Sequence, residues 1–323
     1  MDACAFDTFV RQITALTASQ STRLLASLNA SVDTARVADL ILAARIGNLR
    51  CPRCKGTSFY RHGEANGMQR FRCRECTRTF NALTGTPLAR LRHKGKWRDY
   101  FAGMRASRTV RKSAELVGVA KNTSMRWRHR FLTWIKNDRP APLGGIAEAD
   151  ETFLLESQKG ARTLTRPARR RGGKASAPGI SSEQVCILVA RDRTGMTWDF
   201  VTGRGPVTKA QLHQHLAPVL SAGTLLMTDA NIAYQDFTRE ARIEHAFVNL
   251  SAGERVGTHP RGAVHVQNVN AYHSRFHGWL RRFNGVATRY LSNYLGWYWA
   301  IDQDRIDSPE TLLKAAIGVF NSE

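Results

Sequence analysis

The 323-residue sequence lacks any long apolar run, and it is poor in acidic residues. Its first residues, MDACAFDTFVRQITAL, contain no basic stretch leading into an apolar segment and no small-residue cleavage site. We therefore expect neither a secretory signal peptide nor a membrane-spanning helix, and we expect a soluble cytoplasmic protein. The hydrophobic content of 42% is nevertheless enough for a sizeable core.

The scarcity of acidic residues leaves a large positive charge. The chain has 26 Asp and Glu against 48 Lys and Arg, a formal net charge of +22. Between Arg50 and Lys136 there are 22 basic and 4 acidic residues, so this segment alone has a balance of +18. A basic surface can simply be solvated, but a concentration of this size is typical of proteins that bind phosphates. We therefore expect a polyanionic partner, and nucleic acid in particular.

Cysteine is also scarce, but four of the six cysteines form two C-x-x-C pairs. CPRC at 51–54 and CREC at 73–76 are separated by 18 residues that alternate like a strand, a turn and a strand. In a cytoplasmic protein this spacing favours a metal over disulfides, and redox-active or plain buried thiols are the alternative. The pattern predicts a zinc ribbon over 49–85 with one structural Zn²⁺ bound tetrahedrally. The predicted ligands are Cys51, Cys54, Cys73 and Cys76.

Apolar periodicity divides the rest of the chain into helical modules and a mixed α/β segment. Residues 1–48 and 86–136 keep a helical period, and NDRPAPLGG at 137–145 is interpreted as a linker from its two prolines and two glycines. Downstream, strands come first and then alternate with helices, which indicates a mixed sheet with flanking helices. The predicted strands are 146–155, 184–192, 196–203, 224–230 and 245–250, and the predicted helices between the later strands are 208–220 and 232–241.

A basic insertion at 156–182 interrupts the predicted sheet. It has seven basic residues and no acidic residue between Lys159 and Lys174. We interpret it as a flexible loop that also contacts DNA, with contacts expected at Arg169, Arg170 and Arg171. The α/β segment with this insertion spans 146–300, and 301–323 is predicted to form a C-terminal helix.

The segment TVRKSAELVGVAKNTSMRWRHRFLTW at 109–134 has the spacing of a helix-turn-helix. Ala114 would let two helices approach, Gly118 would take the turn, and Trp127 would seat a second helix beginning near residue 122. Ser124 occupies a place where an aliphatic residue is usual, and two ordinary packed helices are the alternative. With the local charge, the pattern favours DNA binding by the second helix. The side chains expected on its exposed face are Lys121, Asn122, Thr123, Arg126, Arg128 and Arg130.

Two carboxylates stand where apolar strands would bring them together. Asp150 lies within IAEADETF, and Asp229 ends the apolar run TLLMTDA. Each could simply cap a helix. On adjacent strands of one sheet, however, they could share Mg²⁺, which prefers oxygen ligands. Phosphoryl transfer commonly uses two such ions ~4 Å apart.

The segment HVQNVNAYHSRFHGWLRRF at 265–283 is predicted to be a helix with an apolar stripe beside a stripe of amides and imidazoles. A solvated face is the simple explanation of the polar stripe, which contains Asn270 and His277 with His273 at its edge. If the apolar stripe packs on the sheet, the polar stripe can face the two aspartates. Asn270 would then offer a metal an oxygen ligand, and His277 could contact a phosphate or assist proton transfer.

The order of these features resembles bacterial insertion-sequence transposases of the ISXO type, the prokaryotic relatives of the Merlin transposons. The resemblance covers about residues 45–300 and is most specific in ADETF (149–153) and in NAYHSRFHGWLRRFNGVATRYLSNYLGW (270–297). It implies an RNase H-like catalytic core. It also implies a protein that binds terminal inverted repeats, cuts at the ends of its element and joins the new 3′-OH ends to target DNA.

The resemblance also implies residue roles and partners. Asp150 and Asp229 match the first two catalytic Asp residues, and Asn270 matches a third position that is Glu in some branches and Asn in others. The fourth position, commonly Lys, is His277 here. The first three residues would bind Mg²⁺ or Mn²⁺ in a two-metal site. The implied partners are the DNA ends of the element, target DNA and a second copy of the chain, since two ends must be brought together. The implied location is the bacterial cytoplasm, at the nucleoid.

Two other functions are compatible with the sequence. The first is a DNA-binding regulator with an inactive transposase-like core, which would bind no divalent metal there. The second is an RNase H-like nuclease acting on structured DNA or RNA, which would not join the cut ends to a second duplex.

Overall fold

The computed structural model describes residues 2–139, 141–170, 172–176, 178–249, 252–253 and 255–319. The chain forms two compact units. The first contains the residues up to Trp134 together with the segment from Ile306 onward, and the second is Ile135–Arg305. Within the described residues, no helix combines the length and apolar composition needed to cross a membrane.

The first unit starts with two helices, α1 (Ala3–Ile13) and α2 (Ala18–Arg45), where the sequence predicts a helical segment. The Asp2 carboxylate accepts the Ala5 N–H at 2.8 Å and so caps α1. Thr17 opens α2 with a capping box, in which side chain and backbone groups satisfy each other at the helix start.

A small three-stranded antiparallel sheet follows, formed by β1 (Phe59–Ala65), β2 (Met68–Cys73) and β3 (Thr79–Asn81). Its core is a few apolar side chains, including Phe71 and Phe80, packed around two of the cysteines. So small a core buries little apolar surface, and a sheet of this kind needs a metal or another staple to be stable.

Three helices complete the middle of the first unit: α3 (Trp97–Arg105), α4 (Val110–Val117) and α5 (Lys121–Ile135). Gly118 ends α4 with φ 58°, a left-handed conformation that favours glycine, and the predicted second helix follows as α5. Ser124 fits here because its hydroxyl donates to the Val110 carbonyl at 2.8 Å. The buried polar group is thereby satisfied where an aliphatic side chain was expected.

The C-terminal helix is shorter than the sequence predicts. Helix α9 (Leu291–Asp302) ends in the second unit, Asp304 takes a left-handed φ of 54°, and α10 spans only Pro309–Ala316. Ser308 caps α10, and the proline at its first turn fixes where the helix begins. Helix α10 packs against α2 and α3 in the first unit, burying Leu312 and Leu313. Residues 320–323 lie outside the described part of the chain.

The second unit is built on a five-stranded sheet. Its spatial order is β6-β5-β4-β7-β8, with β5 antiparallel to both neighbours and β4, β7 and β8 parallel to one another. This order and these directions are those of an RNase H-like core, as predicted. The strands are β4 (Ile146–Leu155), β5 (Gln184–Asp192), β6 (Thr197–Arg204), β7 (Leu225–Asp229) and β8 (Glu244–Val248).

Helices cover both faces of this sheet. On one face, Leu212 of α6 (Lys209–His215) and Tyr234 of α7 (Ile232–Ala241) pack against Ala147 and Ala149 of β4. On the other face, α8 (Gln267–Arg281) packs against β4 and β5, and α9 packs against β6. A short hairpin that the sequence did not predict, β9 (Gly257–His259) with β10 (Gly262–Val264), precedes α8.

The interpretation of 137–145 as a linker is wrong. Leu143 is fully buried in the core of the second unit. Its N–H donates to the Val219 carbonyl at 2.7 Å, and its carbonyl accepts the Ser221 N–H at 2.8 Å. The surrounding prolines and glycines suggest a linker by composition, but one leucine with a backbone bridge to the segment before β7 ties this stretch to the core.

Candidate active site, metal centre and DNA-binding helix

The four cysteines of the small sheet converge on one point. The Sγ atoms of Cys51 and Cys76 are 3.5 Å apart, as are those of Cys54 and Cys73, and all four lie within 4.8 Å of one another. Thiolates bound tetrahedrally to Zn²⁺ at ~2.3 Å lie ~3.8 Å from one another, so the sulfurs fit a single zinc ion.

The local backbone explains how the two C-x-x-C turns present their sulfurs. Lys55 and Thr77, each directly after the second cysteine of a pair, have left-handed φ values of 65° and 58°. A hydrogen bond from the Cys54 backbone N–H lowers the pKa of Cys51 to about 6, although burial opposes this. Burial and the neighbouring cysteine sulfurs raise the pKa of Cys54 to about 12. Metal binding requires thiolates, so a bound cation would be needed to hold both sulfurs in the ligand form.

Asp150 and Asp229 lie at the same level on neighbouring parallel strands. The last paired positions of β4 and β7 are Glu148 and Met227, and each aspartate stands two residues further along its strand. Because side chains alternate along a strand, both aspartates project from the sheet face that α8 covers. Burial raises the pKa of Asp150 to about 7, and the charge of Asp229 adds to the effect.

A third carboxylate stands beside this pair, and the sequence analysis did not single it out. Glu151 follows Asp150 and points to the opposite face of the sheet, where the Tyr234 hydroxyl donates to it. Burial raises the pKa of Glu151 to about 7, with smaller contributions from the charges of Asp150 and Asp229. The sequence signal that could have identified Glu151 is its position directly after Asp150 in ADETF.

Helix α8 is fixed to β4 through its first turn. Glu148 is fully buried, and its carboxylate accepts the Asn268 N–H at 2.7 Å, the Asn268 side-chain amide at 2.8 Å and the Val269 N–H at 3.1 Å. Arg193 and His265 each lie 3.3 Å from the same carboxylate. A negative charge at a helix N-terminus is favourable, so Glu148 both anchors and orients α8.

From that anchor, α8 runs along β4 and brings two histidines to its side chains. His273 Nδ1 lies 3.8 Å from Asp150 Oδ2, and His277 Nε2 lies 2.7 Å from Thr152 Oγ1. Asn270 lies in the first turn of α8 with an exposed side chain. The structure therefore brings His273 rather than Asn270 into contact with Asp150, and the role of Asn270 as a metal ligand stays a prediction.

The two stripes predicted on this helix behave differently. Val269, Tyr272 and Phe276 are buried, as predicted, whereas the polar stripe is divided between half-buried His277 and exposed Asn270. Burial lowers the pKa of His273 to about 4 and also lowers that of His277. Both imidazoles are therefore neutral near pH 7, unlike a lysine at the fourth position.

The carboxylates of Asp150 and Asp229, unlike the cysteines, do not belong to a cluster of three or more protein ligand atoms among the described residues. Across the described residues, only the cysteine quartet brings three or more His, Cys, Asp or Glu ligand atoms within 4.8 Å of one another. A cation at Asp150 and Asp229 would therefore need further oxygen ligands from Asn270, from the substrate or from water.

Sequence comparison identifies two segments. Residues 142–297 match the family described as ISXO2-like transposase domain, and residues 47–77 match the one described as InsA N-terminal domain, a zinc ribbon. Residues 142–297 are therefore similar to insertion-sequence transposase domains.

Two relatives and one solved structure illustrate the likeness. An uncharacterised protein in the transposable element ISH50 of Halobacterium salinarum is 29% identical over 267 residues, covering 80% of this chain and 87% of that protein. Protein InsA of insertion element iso-IS1N from Shigella dysenteriae is 52% identical over 44 residues, covering 13% of this chain and 48% of that protein. A pre-cleavage Mos1 transpososome structure aligns with 69% of this chain and 78% of its own, at 13% identity and a TM-score of 0.28. The fold assignment rests on the strand order given above.

The second helix of the predicted helix-turn-helix, α5, exposes only part of its predicted DNA-binding face. Lys121, Asn122 and Arg126 are exposed, and Thr123 is half-buried. Arg130 is half-buried too, and its guanidinium donates to the backbone carbonyl of Ala89 at 3.1 Å and to that of Pro87.

The prediction that Arg128 is exposed is wrong. Its side chain is fully buried, and its guanidinium donates to the Arg108 carbonyl at 2.8 Å and to the Ser113 hydroxyl at 3.0 Å. Arg128 follows Ser124 by four residues and precedes Phe131 by three, which places it on the buried stripe of α5. It ties α5 to the segment before it instead of reaching a partner.

The basic insertion at 156–182 is partly held by Glu156 and by Glu183 directly after it. Glu156 is 6% exposed and accepts from Arg166 at 2.8 Å and from Arg204 at 3.1 Å. Arg169 donates to the Glu156 carbonyl at 2.6 Å and lies 3.4 Å from Glu183, so its guanidinium already has partners. Arg170 is exposed, and Arg171 lies outside the described residues.

Proposed function

We propose that this chain is a DNA transposase that binds the terminal inverted repeats of an insertion sequence, cleaves at its ends and joins them to target DNA. One observation carries the proposal: Asp150 and Asp229 lie at one level on the same face of an RNase H-like sheet, inside an ISXO2-like transposase domain. A DNA substrate places the protein in the bacterial cytoplasm.

In this proposal Asp150, Asp229 and Asn270 hold Mg²⁺ or Mn²⁺. Asp150 and Asp229 lie at one level, and burial raises the pKa of Asp150, so ionising both carboxyl groups is unfavourable in the free protein. A bound cation would offset that electrostatic cost, and the pair therefore fits a metal site. The bound cation would supply positive charge at the reacting phosphate and at the attacking oxygen.

The neighbouring residues hold the site in shape. Glu148 fixes the start of α8, and His273 limits where the Asp150 carboxylate can lie. His277, held by Thr152, lies on the same side of β4 as Asp150 and is proposed to orient a phosphate or the leaving group through a hydrogen bond.

Recognition of the ends is assigned to the segment from Arg50 to Lys136. Its balance of +18 favours phosphate contacts, and α5 presents exposed Lys121, Asn122 and Arg126 on one surface. The zinc ribbon gives this basic segment a rigid support.

The test uses the DNA that flanks the gene, in which inverted repeats define the ends. Asp150→Asn and Asp229→Asn should each reduce cleavage in Mg²⁺ by about 10³-fold while end binding is unchanged, since binding lies elsewhere in the chain. Asp236→Asn is the matched control, because the side chain of Asp236 is 42% exposed and forms an ion pair with neighbouring Arg239. Unchanged cleavage by Asp229→Asn would refute the assignment.

Substitutions in α8 test the proposed roles of Asn270 and His277 separately. Asn270→Ala should lose most cleavage and Asn270→Asp should keep part of it, since aspartate retains an oxygen ligand. His277→Lys restores the residue common in the family and should be neutral or activating. Cleavage without joining to a second duplex would favour a nuclease, and end binding without metal-dependent cleavage would favour a regulator.

A further inference from the structure

Two histidines of α8 lie beside two residues of β4, but their surroundings differ. His273 and His277 are four residues apart on the helix, about 6 Å, and Asp150 and Thr152 are two residues apart on the strand, about 6.6 Å. This similar spacing places His273 beside Asp150 and His277 beside Thr152. His277 is satisfied there, because its Nε2 lies 2.7 Å from the Thr152 hydroxyl.

His273 has no comparable partner among the described residues. Its side chain is 10% exposed, and its Nε2 is buried and forms no hydrogen bond in this part of the chain. Its Nδ1 lies 3.8 Å from Asp150 Oδ2, which is longer than a hydrogen bond. Burying a polar group without a partner is unfavourable, so an imidazole that is nine-tenths buried in this way indicates a ligand that satisfies it.

The distance between His273 and Asp150 suits a shared cation. In octahedral coordination with bonds of about 2.1 Å, neighbouring ligand atoms are about 3.0 Å apart and opposite ones about 4.2 Å. The 3.8 Å between His273 Nδ1 and Asp150 Oδ2 lies between these values. A shift of less than about 1 Å in either side chain would therefore let both atoms bind one ion.

Packing holds His273 in this position. Glu148 fixes the first turn of α8, about one turn before His273, and Tyr272 and Phe276 on either side of it in the sequence are buried. Asn270, the other candidate ligand on this helix, is exposed. A ligand that packing already holds in place loses less conformational freedom when it binds, which favours His273 as a ligand.

We propose that His273 is a nitrogen ligand of the cation that Asp150 binds, and that this ligand makes the site prefer Mn²⁺ to Mg²⁺. The inference rests on the metal-dependent chemistry of the proposed function. Imidazole is a softer ligand than a carboxylate oxygen and suits transition-metal ions, whereas Mg²⁺ prefers oxygen. The assignment adds one protein ligand to those proposed above and identifies the cation that the site selects.

The test measures Mn²⁺ binding to the full, zinc-loaded chain without DNA, by electron paramagnetic resonance. Spin-echo modulation detects a nitrogen nucleus bonded directly to Mn²⁺, which an activity assay does not report. Wild type should show this coupling, and labelling its histidines with a different nitrogen isotope should change the coupling frequency. His273→Asn should lose the histidine coupling and weaken Mn²⁺ binding about 10-fold.

Competition with Mg²⁺ measures the preference between the two ions. The ratio of the Mg²⁺ dissociation constant to that of Mn²⁺ should fall about 5-fold in His273→Asn, because an amide oxygen suits both ions. An unchanged ratio would contradict the proposed selectivity.

His277→Asn is the matched control, since it is the same substitution one turn later on the same helix, at an imidazole already bonded to Thr152. It should keep both the histidine coupling and the Mn²⁺ affinity of wild type. Helical circular dichroism and zinc content should be equal in all variants, which separates a lost ligand from lost folding.

The aspartate variants separate this proposal from the proposed function. Mn²⁺ binding that Asp150→Asn and Asp229→Asn both weaken, but that shows no histidine coupling, would overturn the assignment of His273 alone. Coupling lost in His277→Asn and kept in His273→Asn would overturn it too. If Mn²⁺ at up to ~1 mM did not bind, or bound equally well to both aspartate variants, the metal site of the proposed function would itself be wrong.

Discussion

Loss of Glu148 should disrupt the candidate active site more than loss of any other single side chain around it. It is fully buried two residues before Asp150, and its carboxylate accepts three hydrogen bonds from the first turn of α8. Arg193 and His265 lie 3.3 Å from it. Glu148→Ala would leave these donors without their acceptor, in a place where water replaces it poorly.

The size of the effect follows from the contacts. A hydrogen bond to a charged acceptor contributes about 1.5–3 kcal/mol, and removing one partner of a buried charge pair costs about 3–5 kcal/mol. These energies are not additive, and Arg193 keeps partial access to water. We therefore expect Glu148→Ala to lower the free energy of unfolding of the second unit by about 3–5 kcal/mol. Glu148→Gln keeps the volume and one acceptor oxygen, so it should lose about 1.5–3 kcal/mol.

Urea unfolding of the full chain, followed by tryptophan fluorescence, measures this loss. Glu240→Ala is the control, because its side chain is 52% exposed and its ion pair with Lys209 lies at the surface. Such exposed pairs contribute little to stability because water and salt screen them. If Glu148→Ala unfolded at the same urea concentration as the control, α8 would not be held through its first turn, and the placement of His273 and His277 would need another cause.

Three further predictions concern other parts of the chain. Arg126→Ala should weaken DNA binding without changing the unfolding temperature, whereas Arg128→Ala should lower that temperature. Anisotropy with labelled DNA and thermal unfolding distinguish the two, and equal effects on both measurements would contradict the burial of Arg128. Purified protein should contain about one zinc per chain, and metal analysis should find it lost when Cys51→Ser and Cys73→Ser are combined. Burial lowers the pKa of His245 to about 4 from its usual 6.5, so the unfolded chain takes up this proton first and His245 should cost stability as pH drops from 6.5 toward 4. Other buried groups titrate in the same range, so the measurement is the difference between wild type and His245→Gln: the unfolding midpoint of the variant should rise relative to wild type as pH falls, and a difference that does not change with pH would contradict the burial of this imidazole.

The central strands were the most predictable part of the fold. Predicted strands 146–155 and 184–192 coincide with β4 and β5, because short segments of strand-like pattern between polar turns mark strands of a sheet. The hairpin of β9 and β10 was not predicted, since strands of three residues have too little periodicity to be recognised.

The candidate site was predictable in its parts but not in its arrangement. An acidic residue inside or at the end of an apolar strand suggested Asp150 and Asp229, but their common level depends on the pairing of β4 with β7. That pairing joins residues about eighty positions apart, which local patterns do not contain. The prediction for Arg128 was wrong for another reason. Its spacing in the sequence places it on the buried stripe of α5, but arginine is seldom found buried, so an exposed position was expected.

The net charge of the whole chain and the charge of the candidate active site have opposite signs. At long range the chain has a net charge of +22, which would favour the approach of a polyanion such as DNA. Within the Debye length of ~8 Å that applies at physiological salt, the candidate active site instead presents the carboxyl groups of Asp150 and Asp229 on one face of the sheet, with Glu151 on the other. His273 and His277 do not offset these charges, because burial lowers the pKa of both imidazoles and leaves them neutral near pH 7. In the proposed function, a phosphodiester would meet the carboxyl groups of Asp150 and Asp229, and a divalent metal between them would supply the positive charge that lets this face of the sheet accept DNA.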